Sequence, residues 1–368
     1  MQRMQHAQWG MNPLFGPEPR SSPMVVIEDK DKRQVDLTFD LKSEDCTTHF
    51  SLRGRVTNVF PVMSDMLSSL PRDPRSLNDT KDLVAKLYWP EEMRRSKPDI
   101  LKEVYKITDG EREGMTAEER QQVAGHVPEM VWFHKFEETS TANIRRALGI
   151  GDAERGSRVF YVIVFRKLRP ITDLSGDQFL NAWWHTVFCH RILWIYSIRH
   201  RDISPTNLMF YETSSGLIIG VLNDYDLSST RDTPTGNERT GTVPFMAMEL
   251  LTKAALEGKA EHLYRHDAES FIWVLTWVCL RYEKGRLIED RPLDRWLKVS
   301  IIRCREKKHD FMGDGRFNAQ PTSSHQASWE TVQSCLTTIA LFYAHNPRPL
   351  LADGEVFRTW LEVHLPNS

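Results

Sequence analysis

The sequence predicts an α+β protein of two lobes, a β-rich small lobe followed by a mainly helical large lobe. Three observations predict it. Apolar residues alternate at Val35, Leu37 and Phe39 and recur at Phe50, Leu52, Val56, Val59 and Val62, as in half-buried antiparallel strands. Val159 to Phe165 is an unbroken β-prone run suited to a fully buried strand. Beyond it, Phe179, Trp183 and Val187, with Leu180, Trp184 and Phe188, fall at helical spacing, as core aromatics do. A chain of 368 residues accommodates one such two-lobed domain and leaves little for a second module.

The elements follow in order. Residues 1–23 hold four prolines and two glycines without periodicity and read as a flexible arm. The small lobe then runs over 24–165 and the large lobe over 166–368. Leu83 to Leu87 reads as the third strand and carries Lys86. Ser96, with Asp99 three positions on and Ile100, Leu101, Val104, Tyr105 and Ile107 beyond, reads as an N-capped amphipathic helix. Residues 108–128 are charged, lack a core face until Val127, and read as a surface insertion. An apolar run to Leu280, too short for a membrane span, follows His266 and Asp267. The basic stretch from Arg281 to Lys308 reads as a solvated face, and His309 to Ser328 as a mobile loop before a helical end.

Bulk properties exclude several classes. Hydrophobic content of 40%, charged content of 27% and a net charge of −2 give no electrostatic reason to expect nucleic acid or a membrane as partner. Cys46, Cys189, Cys279, Cys304 and Cys335 show neither metal spacing nor an even count for a disulfide framework, which suits a reducing compartment. The first residues carry no apolar core of a signal peptide. An intracellular enzyme, cytoplasmic or nuclear, is expected.

The chemistry concentrates after residue 199. His200, Arg201 and Asp202 are followed by Asn207 at H-R-D-x-x-x-x-N spacing, then by Leu208–Tyr211, a small-residue turn, Leu217–Leu222 and Asp224. The two apolar runs read as a hairpin that returns Asp224 close to Asn207. Phosphoryl transfer needs an acceptor for the attacking hydroxyl's proton and hard oxygen ligands for a divalent cation. Asp202 would serve as the first; Asn207 and Asp224 would bind Mg²⁺. A lone tripeptide would be a surface loop, but four features in order point to a phosphotransferase.

Gly241-Thr242-Val243-Pro244-Phe245-Met246-Ala247-Met248-Glu249 resembles the Gly-Thr-x-x-Tyr-x-Ala-Pro-Glu end of a protein-kinase activation segment, with Met248 in place of proline. Asp267 stands where the buried central helix of the large lobe holds the catalytic-loop backbone, and it also suits a helix N-cap. Together with Ser51–Arg55 and Val84–Glu92, these residues resemble the fungal-type protein kinase family, a divergent branch of the protein-kinase superfamily, over about Val35 to Tyr282. The resemblance implies a kinase fold with ATP between the lobes. Lys86 would grip the α and β phosphates, Gly54 would belong to the phosphate loop, and the hinge near Phe165 to Leu168 would meet adenine. Asp202, with Arg201 and His200, would form the catalytic loop, and Glu249 and Asp267 would be structural. Arg201 would sense phosphate on Ser228, Ser229, Thr230, Thr233 or Thr235.

The departures are specific. Lys97 stands where the family has the glutamate that pairs with the strand lysine, and would repel Lys86; Glu103 is the substitute if the register shifts, while Asp99 is a cap. Val56 replaces a second phosphate-loop glycine, Ser204 a lysine, and Asp226 the glycine of Asp-Phe-Gly. The leading expectation is a protein serine/threonine kinase with a protein substrate. A kinase of a small-molecule hydroxyl and a pseudokinase scaffold are the alternatives.

Overall fold

The computed structural model describes residues 24–29, 31–48, 57–70, 78–110, 112–230 and 241–365. Phe50, Ser51, Leu52, Arg53, Gly54, Arg55 and Val56, together with Thr233 and Thr235, lie outside the described residues. The chain divides into two compact units. One extends to Leu101 and includes Pro128–Lys167; the other comprises Lys102–Val127 and everything from Leu168 onward.

The first unit is an antiparallel sheet of β1 (Met24–Glu28), β2 (Gln34–Phe39), β3 (Thr47–Thr48), β4 (Thr57–Met63), β5 (Leu83–Tyr88), β6 (Met130–Phe136) and β7 (Phe160–Arg166). The strand order is β1-β2-β4-β5-β7-β6, with β3 beside β4. Val35, Leu37 and Phe39 all turn inward, as the alternation requires. They pack with Leu83, Ala85, Val162 and Val164. The strand of Lys86, expected as the third, is the fifth among the described residues because β1 and the two-residue β3 also precede it. In β1, Met24 and Val26 are apolar yet face out, so the sequence Met-Val-Val-Ile shows no alternation. β7 is buried at every position between β5 and β6. Short helices α1 (Asp65–Ser69) and α2 (Lys97–Thr108) follow β4 and β5, and the division between units falls inside α2.

The second unit is built on two buried helices. Before them, α3 (Ala117–Gln121) lies in the stretch that the sequence assigned to the small lobe as a surface insertion, and α4 (Thr141–Ala147) belongs to the first unit. The stretch groups with the helical unit because backbone atoms hold it there. The Gly125 carbonyl accepts the Tyr211 hydroxyl at 3.2 Å, and the His126 carbonyl accepts the Leu222 N–H at 2.9 Å. Bonds through carbonyls leave no side-chain periodicity to read.

Helix α5 (Gly176–Ile195) carries the aromatic stripe inward, and the Trp183 indole N–H donates to the Phe271 carbonyl at 3.1 Å. Short strands β8 (Arg169–Pro170) and β9 (Ile198–Arg199) flank it. Strands β10 (Leu208–Glu212) and β11 (Ile218–Leu222) form the expected hairpin in register Leu208 to Leu222. After β12 (Ser229–Thr230) come α6 (Lys253–Leu256), α7 (Tyr264–Arg281), α8 (Arg295–Lys298) and α9 (Ile301–Asp310). Arg281 and Lys308 do not belong to a solvated face. Both are buried, with the Arg281 guanidinium 3.9 Å from the Trp277 ring centroid. Nor is His309–Ser328 a plain loop: Phe311–Asn318 continues helically, because Phe311 and Met312 find core positions.

The hairpin sits so close to α5 that a side chain at Gly220 would collide with the Ala182 carbonyl. Replacing Gly220 by Ala should therefore cost about 1–3 kcal/mol of stability through overpacking. Thermal denaturation checks this, and an unchanged midpoint would show that the hairpin does not depend on the close approach.

Candidate active site

Backbone geometry in the second unit starts the site. β9 pairs with β12, Arg199 opposite Ser229, and the chain then turns sharply at Arg201, whose φ is 70°. A positive φ is unfavourable for a side chain of that size, so surrounding bonds must hold it. They come from Asp267, whose Oδ2 accepts the Arg201 N–H at 3.3 Å. The same oxygen accepts from His190 Nε2 at 2.9 Å, and Oδ1 from His262 Nε2 at 2.7 Å. Burial raises the Asp267 carboxyl, but the His262 and His190 contacts outweigh it and hold the group well below the usual range. Asp267 is not the cap of α7; that position is Leu263, whose N–H donates to His266 Nδ1 at 3.1 Å.

The turn sends neighbouring side chains different ways. His200 is buried, its Nε2–H donating to the Asn223 carbonyl at 2.9 Å and its Nδ1 accepting the Asp202 N–H at 3.4 Å. That pattern requires the neutral ring, and burial lowers its pKa to about 4. Asp202 Oδ1 accepts both the N–H and the hydroxyl of Thr242, each at 3.0 Å. Its Oδ2 accepts Asn207 Nδ2 at 3.1 Å, and the same nitrogen donates to the Asp202 carbonyl at 2.8 Å. Burial pushes the Asp202 carboxyl up; the Thr242 hydrogen bond opposes this, and the nearby Asp224 charge adds to it.

The hairpin supplies the other carboxylate. The Asn223 N–H donates to the Asn207 carbonyl at 2.8 Å, which brings Asp224 beside Asn207. Asp224 has φ 62° and ψ 78°, a left-handed conformation that aspartate tolerates better than most residues. Tyr225 behind it is fully buried, its ring centroid 5.1 Å from that of His200. Among the described residues no group of three or more His, Cys, Asp or Glu would cage a metal. Asn207 and Asp224 nevertheless fit a magnesium ion, which takes one or two side-chain oxygens and completes its shell with phosphate and water. With the Asn207 nitrogen committed to Asp202, its amide oxygen is the atom left to face a cation.

Lys86 lies in the first unit. Its residue pairs with Val59 on β4 and Ile163 on β7, and its buried ammonium is 5.6 Å from the Tyr88 ring centroid. Lys97 is buried too, 5.3 Å from the Phe165 ring centroid, and its N–H donates to the Tyr88 hydroxyl at 3.3 Å. Thus Phe165, expected at the adenine side, carries a lysine against its ring. Ser96 and Asp99 form the expected cap: the hydroxyl donates to the carboxylate at 2.6 Å and accepts the Asp99 N–H at 3.3 Å. Glu103 faces Lys106 at 2.9 Å and Arg112 at 3.0 Å. Phe165 and Leu168 fall in different units, Leu168 packing against Tyr211, Ile219 and Val221.

Glu249 is engaged by Arg265 at 2.7 Å, His266 at 3.0 Å and Arg348 at 2.8 Å. Burial raises its carboxyl, but the His266 and Arg265 bonds prevail and bring it to about 2. Ser228 is buried and donates to the His200 carbonyl at 3.3 Å, so its hydroxyl is already occupied. Sequence reasoning assigned no role to Thr242, to the histidines around Asp267, or to Glu269 and Lys308. An acidic residue inside an otherwise apolar helix was the signal available for Glu269. Arg348 carried none.

A family model described as fungal protein kinase matches residues 1–279. Among solved structures the chain is similar to vaccinia related kinase 3, at 12% identity over 95% of this chain and 93% of that one, with a TM-score of 0.48. It is also similar to the ROP18 kinase domain, solved in complex with AMP-PNP and sucrose, at 12% identity over 92% and 82%, with a TM-score of 0.42. No curated protein matches the sequence.

The buried neutral His200 has a pH consequence. Its pKa is about 4 in the fold against an ordinary value of 6.5, so an unfolded chain binds its proton first. Stability from this group is complete above pH 6.5 and is lost as pH falls from 6.5 towards 4, by about 3 kcal/mol at the lower end. Burial also lowers His126, His185 and His266, which act in the same direction. Melting temperatures should fall steeply across this window; a flat profile between pH 7 and pH 5 would contradict the neutral-ring assignment.

Proposed function

The chain belongs to the fungal protein kinase family, and on that premise we propose that it transfers the γ-phosphate of ATP to a serine or threonine hydroxyl of a protein, with magnesium as cofactor. The observation that carries this reading is the meeting of Asp202, Asn207 and the Asp224 turn, joined by the bonds from Asn207 to Asp202 and from Asn223 to Asn207. Asp202 orients the acceptor hydroxyl and takes up its proton; burial, which raises its carboxyl, makes it a better base than a solvated aspartate. Its rotamer is set from both sides, by Thr242 on Oδ1 and Asn207 on Oδ2. His200 and Arg201 act through the backbone: one receives the Asp202 N–H, the other is fixed by Asp267.

Asn207 and Asp224 would hold Mg²⁺, which supplies neutralisation of the phosphate charge. Lys86 would hold the α and β phosphates, and Phe165 to Leu168 would flank adenine. A protein acceptor is supported by the segment from Gly241 to Leu251, whose Phe245–Leu251 portion is largely buried against α7 and α9, a fixed surface beside Asp202. No helix of the described residues is long and apolar enough to cross a membrane. All five cysteines are free thiols, four of them buried, which supports an intracellular compartment.

A binding module that keeps the fold is the second reading, favoured by Lys97, whose ammonium is buried in the same unit as that of Lys86. Magnesium-dependent transfer from labelled ATP to protein and metabolite mixtures separates the readings. Label on protein is expected; label on metabolites alone would move the assignment to a small-molecule kinase, and no label to a scaffold. Asp202→Asn should reduce transfer by about 10²–10⁴-fold while nucleotide binding persists. Unchanged turnover in that variant would remove Asp202 from the mechanism.

A further inference from the structure

Beneath the segment from Gly241 to Leu251, two buried charged side chains bond to its backbone. Lys308, in the last turn of α9, is 0% exposed and donates to the Met246 carbonyl at 2.6 Å. Its ammonium lies 4.6 Å from the Trp273 ring centroid and 5.4 Å from that of Trp296. Glu269, two positions after Asp267 on α7, is 1% exposed. Its Oε1 accepts the Met248 N–H and the Trp273 indole N–H, both at 2.9 Å, and its Oε2 accepts the Tyr343 hydroxyl at 2.6 Å. Burial pushes the Glu269 carboxyl up and brings the Lys308 ammonium down to about 8, and each charge counters the shift of the other.

Stability alone does not explain this pair. Apolar side chains of similar volume generally serve a core as well as a buried acid and base do, or better. What apolar side chains cannot do is bond to a carbonyl at 246 and an N–H at 248. From those atoms a hydrogen-bonded path leads to Asp202: the Met246 N–H donates to the Thr242 carbonyl at 3.2 Å, the Phe245 N–H donates to the same oxygen at 2.9 Å, and Thr242 donates twice to Asp202 Oδ1.

We propose that Glu269 and Lys308 are positioning residues for phosphoryl transfer, fixing the Met246–Met248 backbone so that Thr242 holds the Asp202 carboxylate in the orientation that receives the acceptor hydroxyl. The proposal rests on the phosphotransfer reading above. It gives Met248 a definite role, because its N–H is a donor that a proline at this position would lack. The backbone itself would accept proline: Ala247 is extended, at ψ 145°, and Met248 opens a 3₁₀ turn. Met248→Pro therefore deletes the N–H without forcing a new backbone conformation, but it also replaces a fully buried side chain, so its loss is read against the Glu269→Ala/Met248→Pro double variant.

The test compares Glu269→Ala, Glu269→Gln, Met248→Pro, Lys308→Met and the Glu269→Ala/Met248→Pro double variant, at a temperature where each is folded. For Glu269→Ala and Met248→Pro the expected result is a kcat about tenfold or more below wild type, with nucleotide affinity unchanged. The double variant should lose no more than its worse parent. Glutamine keeps a carbonyl acceptor for the Met248 N–H, so Glu269→Gln should restore most of the rate lost in Glu269→Ala. Hydrogen exchange over Gly241–Leu251 should quicken in Glu269→Ala, Met248→Pro and Lys308→Met. Wild-type kcat in Met248→Pro, or additive losses in the double variant, would overturn the proposal. Should the wild-type protein transfer no phosphate, the kinase reading fails, and exchange still decides the clamp: an unprotected segment, or one unaltered by Glu269→Ala, refutes it. If Glu269→Ala does not fold, Met248→Pro, which leaves the buried acid in place, carries the same comparison.

Discussion

The buried carboxylate of Asp267 is the constraint on which the second unit depends. An isolated carboxylate in an apolar interior is expensive, and here it is satisfied by one backbone N–H and two imidazoles. Those bonds hold Arg201 at a positive φ, and the reversal at Arg201 places His200 in the core while the adjacent Asp202 faces Thr242 and Asn207. The loop that carries Asp202 is thereby anchored to α7, a helix buried at every position but Arg265. Without Asp267, the turn would lose the partner that offsets its strain.

The same helix carries a second buried acid, Glu269, directed at a different backbone segment. Asp267 fixes the loop that holds Asp202, and Glu269 fixes the segment that meets it from Thr242. Glu249 adds a third anchor through Arg265, His266 and Arg348. Asp267, Glu269 and Lys308 each bond one main-chain atom between regular elements, where neither helix nor sheet supplies partners, and both acids complete their bonding with side chains. The hairpin contributes in another way. Its close approach to α5 at Gly220 and its ladder from Leu208 to Leu222 determine how far Asp224 travels before it returns to Asn207.

Much of this was legible in the sequence. Val35, Leu37 and Phe39 announced a strand face, Val159–Phe165 a buried strand, and the Leu208–Leu222 runs a hairpin, because each follows the period of its element. Ser96 and Asp99 announced a helix start for the same local reason. Other readings failed where burial contradicts residue type. Arg281 and Lys308 looked solvated and are not: the Trp277 face one turn back on the same helix covers the Arg281 guanidinium, and the Met246 carbonyl and the Trp273 face, distant in the chain, receive the Lys308 ammonium. Met24 and Val26 hid a strand by being apolar on its exposed side.

The sequence by itself determined the family, the α+β division and the identity of the groups at the candidate site, because His200, Asp202, Asn207 and Asp224 stand at spacings that a short loop and one hairpin can close. Only the tertiary structure decided what holds those groups. The partners of Asp202, Asp267, Glu249 and Glu269 include Thr242, His190, Arg348 and Tyr343, from distant stretches of the chain. Spacing reports contacts within a turn or a hairpin. A hydrogen bond across a packed core depends on which faces come together, and that is settled only when the chain has folded.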